Sequence, residues 1–193
     1  SDFGVSSFVD KPISPFGVSG EWVYKMELGL TSDEALLAAT YNNLAIRFGN
    51  DGPEAQIESL MQLALHSTEV GFGPDSARFV VLFTDAPFHQ AGDGAIAGIT
   101  TPNNGDAIMD GGGIGEDYPF IAQVKAALDA ANITPIFAIA SGYNPVYDAL
   151  VTQLGRGTVV TLTTDSSNVV AAITNGLVAA TTTHIEDAYG GVG

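Results

Sequence analysis

Two apolar runs constrain this chain most. Residues 78 to 83 end in Thr84-Asp85, and residues 134 to 140 form a second run of the same kind. Each is too short to span a membrane, and neither alternates with polar residues, so each reads as a strand buried on both faces. Helical periodicity follows both. Strands alternating with helices predict an α/β fold with a doubly wound, mainly parallel sheet and helices on both faces. In such sheets the working residues sit in loops at the carboxyl ends of the strands.

The remaining elements fit that frame. Residues 3 to 9 form a strand closed by Asp10, and residues 22 to 28 alternate as a half-exposed antiparallel edge strand. Thr31-Ser32-Asp33-Glu34 has a capping-box pattern, and Leu36, Leu37, Thr40, Tyr41, Leu44 and Phe48 then line one helical face. Ile57, Leu60, Met61, Ala64 and Leu65 repeat the spacing of a core-facing helix. A long loop, 86 to 116, precedes a helix opened by Asp117-Tyr118-Pro119. Asn144-Pro145 starts a helix ending near Leu154, residues 159 to 162 form the last strand, and Asp165-Ser166-Ser167-Asn168 caps the last helix. Residues 1 to 180 are expected to make one domain, and 181 to 193 a tail or linker.

Charge narrows the partners. Six basic residues against 22 acidic ones give a net charge of −16. This surface would not be drawn to nucleic acid or to an anionic membrane. It suits surroundings rich in cations. The absence of cysteine excludes disulfides and thiolate metal sites. No run of 18 apolar residues predicts membrane insertion, and the first residues lack a signal-peptide pattern.

Between two helical patterns lies Phe48-Gly49-Asn50-Asp51-Gly52-Pro53-Glu54. Asn50, Asp51 and Glu54 offer oxygen ligands within five residues, as a hard cation such as Ca²⁺ requires. The alternative is an acidic helix cap with Glu54 at the positive end of the dipole. Asp10 and Asp85 both close expected strands and could share one rim with Glu54. The three histidines, His66, His89 and His184, show no ligand spacing among themselves and read as structural or solvated. Gly111-Gly112-Gly113-Ile114-Gly115 follows no expected strand and reads as a loop, not a phosphate cradle.

Collinear motifs add a family. Ser7-Phe8-Val9-Asp10-Lys11-Pro12, Asn50-Asp51-Gly52-Pro53-Glu54, Phe83-Thr84-Asp85-Ala86-Pro87-Phe88-His89 with Asp93-Gly94, Pro102-Asn103-Asn104-Gly105, Asp117-Tyr118-Pro119, Pro135-Ile136-Phe137-Ala138 and Asp165-Ser166-Ser167-Asn168-Val169 occur in order. In them the chain resembles the I-like domain of integrin β subunits, within the von Willebrand factor A superfamily. The resemblance implies three adjacent metal sites. It assigns an outer Ca²⁺ site to Asp10, Asn50, Asp51 and Glu54, with backbone oxygens of Asp51 and Pro53. Glu54 and Asp85 match ligands of the central adhesion site, and Asp85 with the Thr164 carbonyl matches the third.

The departures are specific. The Asp-x-Ser-x-Ser run that supplies the central site's main ligands occurs nowhere in the sequence. The family's first strand and its helix are expected to be missing, so a Mg²⁺ or Mn²⁺ ion in the central site would be poorly held. The calcium loop is one residue shorter than usual, and the specificity loop is reduced to Phe16-Gly17-Val18-Ser19-Gly20. These differences point to a relative outside the animal integrins.

The functional expectation is a non-catalytic, calcium-binding adhesion or ligand-recognition domain of an extracellular or cell-surface protein. Its partner would be a protein offering an acidic side chain. The alternative is a calcium-stabilised structural module. An Mg²⁺-dependent phosphotransfer enzyme would need a second acid two residues after Asp85, where Pro87 stands.

Overall fold

The computed structural model describes residues 1–140 and 142–189, with side chains through Thr181. The chain divides into two compact units, Ser1–Ser76 with Phe88–Ala131, and Ala77–Pro87 with Asn132–Gly193.

In the first unit, strands β1 (Phe3–Ser7) and β2 (Lys25–Thr31) pair antiparallel as a two-stranded sheet of their own. Helix α1 (Glu34–Asn42) is capped by Asp33, whose carboxylate accepts from the amides of Ala35 and Leu36. It has no buried residue. The expected inward face is therefore not formed: Leu36 and Tyr41 are exposed, the helix stops at Asn42, and Phe48 is 82 % exposed beyond it. Nine residues resting on a two-stranded sheet find too little surface to be covered by.

Helix α2 (Gln56–Leu65) is the core of this unit and packs against α4 (Ile121–Ala131). The expected stripe of Ile57, Leu60, Met61 and Ala64 is buried. So is the polar side, including Gln56, Glu58 and Gln62. Some of these polar groups find partners, with Lys11 meeting Glu58 and the Gln62 amide donating to the Asp106 carbonyl, while Gln62 Oε1 is buried without a hydrogen bond among the described residues. The short helix α3 (Ser67–Val70) and 3₁₀ turns at Asp93–Ala97 and Asp110–Gly112 complete this unit.

In the second unit, β3 (Arg78–Thr84), β4 (Ile133–Ala140) and β5 (Thr158–Leu162) form a parallel sheet in the order β3-β4-β5. Successive residues of β4 point to opposite faces. Ile136 and Ala138 meet α6 (Val169–Tyr189), where Gly176 comes so close that a Cβ would stand 2.6 Å from Ile136 Cγ2. Phe137 faces the other way and packs on Tyr147 of α5 (Asn144–Leu154), ring centroids 5.4 Å apart. Helices thus cover both faces of a parallel sheet, the doubly wound α/β arrangement.

One local reading changes. The strand at residues 78 to 83 is not buried on both faces, because β3 is at the sheet edge. Only Leu82 is buried and Phe83 is 41 % exposed. Helix α6 continues through residues 181–189, since after Gly176 no Gly or Pro interrupts it before Gly190. Residues 190–193 of the expected tail lie outside the described residues.

Candidate metal centre

The chain leaving β1 and the loop before α2 are stitched together by backbone hydrogen bonds. The Asn50 amide donates to the Phe16 carbonyl at 2.7 Å and the Ala55 amide to the Val9 carbonyl at 3.1 Å. An isolated parallel bridge joins Glu54 to Phe88, with the His89 amide donating to the Glu54 carbonyl at 3.0 Å. Three sequence-distant segments therefore converge, bringing Asp10, Asp51 and His89 together. One ligand atom from each lies within 4.8 Å of the others.

Asp10 is fully buried. Its Oδ1 accepts from the Lys11 amide and from the Tyr118 hydroxyl, while Oδ2 has no hydrogen-bond partner among the described residues. Burial pushes its carboxyl up to about 6, although the Tyr118 hydroxyl, the Lys11 amide and His89 each pull it back. Asp51 is half-buried, and its Oδ1 is likewise buried without a hydrogen-bond partner. Two buried carboxylate oxygens without donors are what a divalent cation would satisfy, so this part of the site fits a metal.

The other residues named from the sequence are placed differently. Asn50 turns its amide nitrogen to the Gly17 carbonyl at 3.1 Å. The Glu54 carboxylate lies over Gly49, where a Cβ would stand 2.7 Å from Oε1, and Glu54 is not in the Asp10–Asp51–His89 group. Pro53 is half-buried in the same loop. Asp85 and Thr164 belong to the second unit, just after β3 and β5, and both are exposed. Exposure removes the reason to expect Asp85 to need a partner for burial.

His89 was not legible as part of the site. It is buried, its Nε2 lies 3.1 Å from Asp51 Oδ2 and 3.5 Å from Asp10 Oδ2, and its Nδ1 lies 3.1 Å from Asp93 Oδ2. The ring stacks on Tyr118 and meets Phe16 edge-on. The only local signal was Asp93 four residues on; the other partners come from far along the chain. His66 does serve packing, stacked on Tyr24 with Nδ1 against the Gln62 carbonyl.

Beneath the cluster, Lys11 and Glu58 form a fully buried ion pair at 2.9 Å. Lys11 Nζ also donates to the Gly113 carbonyl at 2.6 Å and lies over the Tyr118 ring. The glycine run thus supplies an acceptor to a buried cation.

Against known proteins, residues 1–181 match the family model described as the integrin beta chain VWA domain. The chain belongs to the integrin β family. Human integrin beta-7 is 33 % identical over 192 residues, which covers 88 % of this chain and 24 % of that protein. Integrin beta-1-B of Xenopus laevis is 33 % identical over 195 residues, covering 90 % of this chain and 24 % of that protein. Integrin beta-PS of Drosophila melanogaster is 28 % identical over 188 residues, covering 88 % and 22 %. This integrin β domain spans about a quarter of the length of the curated relatives it matches. No helix among its described residues is long and apolar enough to cross a membrane.

Proposed function

We propose that residues 1 to 180 form a non-catalytic adhesion or ligand-recognition domain of a cell-surface or extracellular protein. It binds calcium at the outer site through Asp10 and Asp51, with Asn50, Glu54 and the Pro53 carbonyl as further oxygen ligands. The observation that supports this most is the pair of buried carboxylate oxygens without hydrogen-bond donors, Asp10 Oδ2 and Asp51 Oδ1, in a chain of the integrin β family. Bound calcium would neutralise two converging acids and hold the exit of β1 to the loop before α2. The partner is a protein presenting an acidic side chain.

A second reading is a calcium-stabilised structural module, favoured by the exposure of Asp85. One experiment separates the two. An immobilised acidic peptide is exposed to the 193-residue chain with calcium, with calcium plus Mg²⁺, and with chelator. Metal-dependent capture supports recognition. Calcium binding without capture leaves the structural module.

A further inference from the structure

Asn132 is the whole connection between helix α4, which ends at Ala131, and strand β4, which begins at Ile133. It makes the turn in the left-handed region, at φ 51°. Asparagine tolerates that conformation better than most side-chain-bearing residues. Its neighbours Ala131 and Ile133 are buried, while Asn132 itself is exposed. The residue also opens Asn132-Ile133-Thr134, an Asn-x-Ser/Thr triplet whose middle position is not proline. At no other asparagine of the chain does a serine or threonine stand two positions on.

We propose that Asn132 is an N-glycosylation site, carrying an oligosaccharide on its side-chain amide. This rests on the reading of the chain as part of a cell-surface or extracellular protein, because acceptor and sugar donor meet in the secretory pathway. The donor class is an oligosaccharide on a polyprenyl diphosphate. A bond forms between Asn132 Nδ2 and the anomeric carbon of the first sugar. The bond from that carbon to the diphosphate oxygen breaks, the polyprenyl diphosphate leaves with the electron pair, and the amide gives up one proton to solvent.

The fold fixes when this happens and where the sugar ends up. Ile133 is fully buried, and Thr134 is held in β4 in register with Phe79 of β3. The triplet is therefore open to a transferring enzyme only before β4 joins its sheet. Folding then buries Ile133 and leaves Asn132 outside. In this unit the site lies at the amino-terminal end of the sheet, where Arg78 is in register with Ile133. Asp85 and Thr164 follow the opposite ends of β3 and β5, about 25 Å away along the eight residues of β4. A glycan on Asn132 thus stays clear of the loops at the carboxyl ends of the strands, where sheets of this kind bind ligands.

The test is translation of the 193-residue chain behind a cleavable secretory leader in the presence of microsomes. Only chain protected from added protease is scored, with and without a glycan-removing amidase. One amidase-sensitive gel shift is expected in the parent and in Thr134→Ser, and none in Asn132→Gln or Thr134→Ala. Because transfer precedes folding, these variants report on the acceptor even where they disturb β4. Pro135 restricts the backbone of Thr134, so the glycosylated fraction should rise in Pro135→Ala. A protected parent chain without the shift overturns the proposal, as does a shift that survives Asn132→Gln. Metal-dependent capture by an acidic peptide is read separately on the same chain. Its failure removes the recognition reading and leaves the glycan site standing.

Discussion

Lys11 Nζ stands 2.9 Å from Glu58 Oε2, and neither side chain retains any exposure. Removing one partner leaves the other charge stranded in the core, which costs about 3–5 kcal/mol, whereas replacing both with apolar residues of similar size is often neutral or stabilising. Glu58→Ala and Lys11→Met should each destabilise the chain by that amount. The double replacement Lys11→Met with Glu58→Leu should recover most of the loss. Denaturant midpoints across the cycle decide it, and additive losses would show that the pair is not a closed unit.

The same glutamate gives a pH dependence. Burial pushes Glu58 up to about 7 from its ordinary 4.5, against the pull of Lys11. The folded state therefore holds this proton more tightly than the unfolded one. The contribution is full below about 4.5 and is lost as pH rises through about 7, on the order of 3 kcal/mol across that window. Stability measured in chelator should fall from pH 5 to pH 7.5, and Glu58→Gln should flatten the slope. A slope unchanged in that variant would assign the effect to another group, Asp10 being the next candidate.

Asp117 holds the His89–Asp93 turn from below. Its Oδ1 accepts from the amides of Gly94 at 2.8 Å and Tyr118 at 2.7 Å, and its Oδ2 accepts from the Gly92 amide. A Cβ on Gly94 would stand 2.4 Å from Asp117 Oδ1, so Gly94→Ala must displace a carboxylate bound by three amides. A loss of about 1–3 kcal/mol is expected. Gly52, whose Cβ would meet nothing within 4 Å, is the control, and its alanine variant should stay within about 0.5 kcal/mol of the parent. Equal melting of the two variants would contradict the clash.

Where local chemistry decides structure, the sequence was readable. The apolar spacing of Ile57, Leu60, Met61 and Ala64 yields α2, and Asn144-Pro145 with Gly155 brackets α5. The unbroken run in β4 is buried because it is the central strand. The same kind of run in β3 is half-open, since nothing within residues 78 to 83 says which strand lies at the edge. Apolar spacing in α1 likewise shows which residues share a side and not what covers them, and Leu36 and Tyr41 stay exposed. In the site, Asp10 and Asp51 were visible through their motifs. His89 was not, because its Asp51 partner lies 38 residues away and only the fold brings the two together.

Thermal unfolding with calcium and with chelator, for the parent chain and for Asp51→Ala, tests the cation site most directly. A ligand that binds only the folded state stabilises it by about 2.7 kcal/mol at roughly 100 times its Kd. For a chain of this size that raises Tm by on the order of 5–10 °C. The expected result is such a rise in the parent and none in Asp51→Ala. Equal Tm values for the parent with calcium and with chelator would contradict a cation held by Asp10 and Asp51.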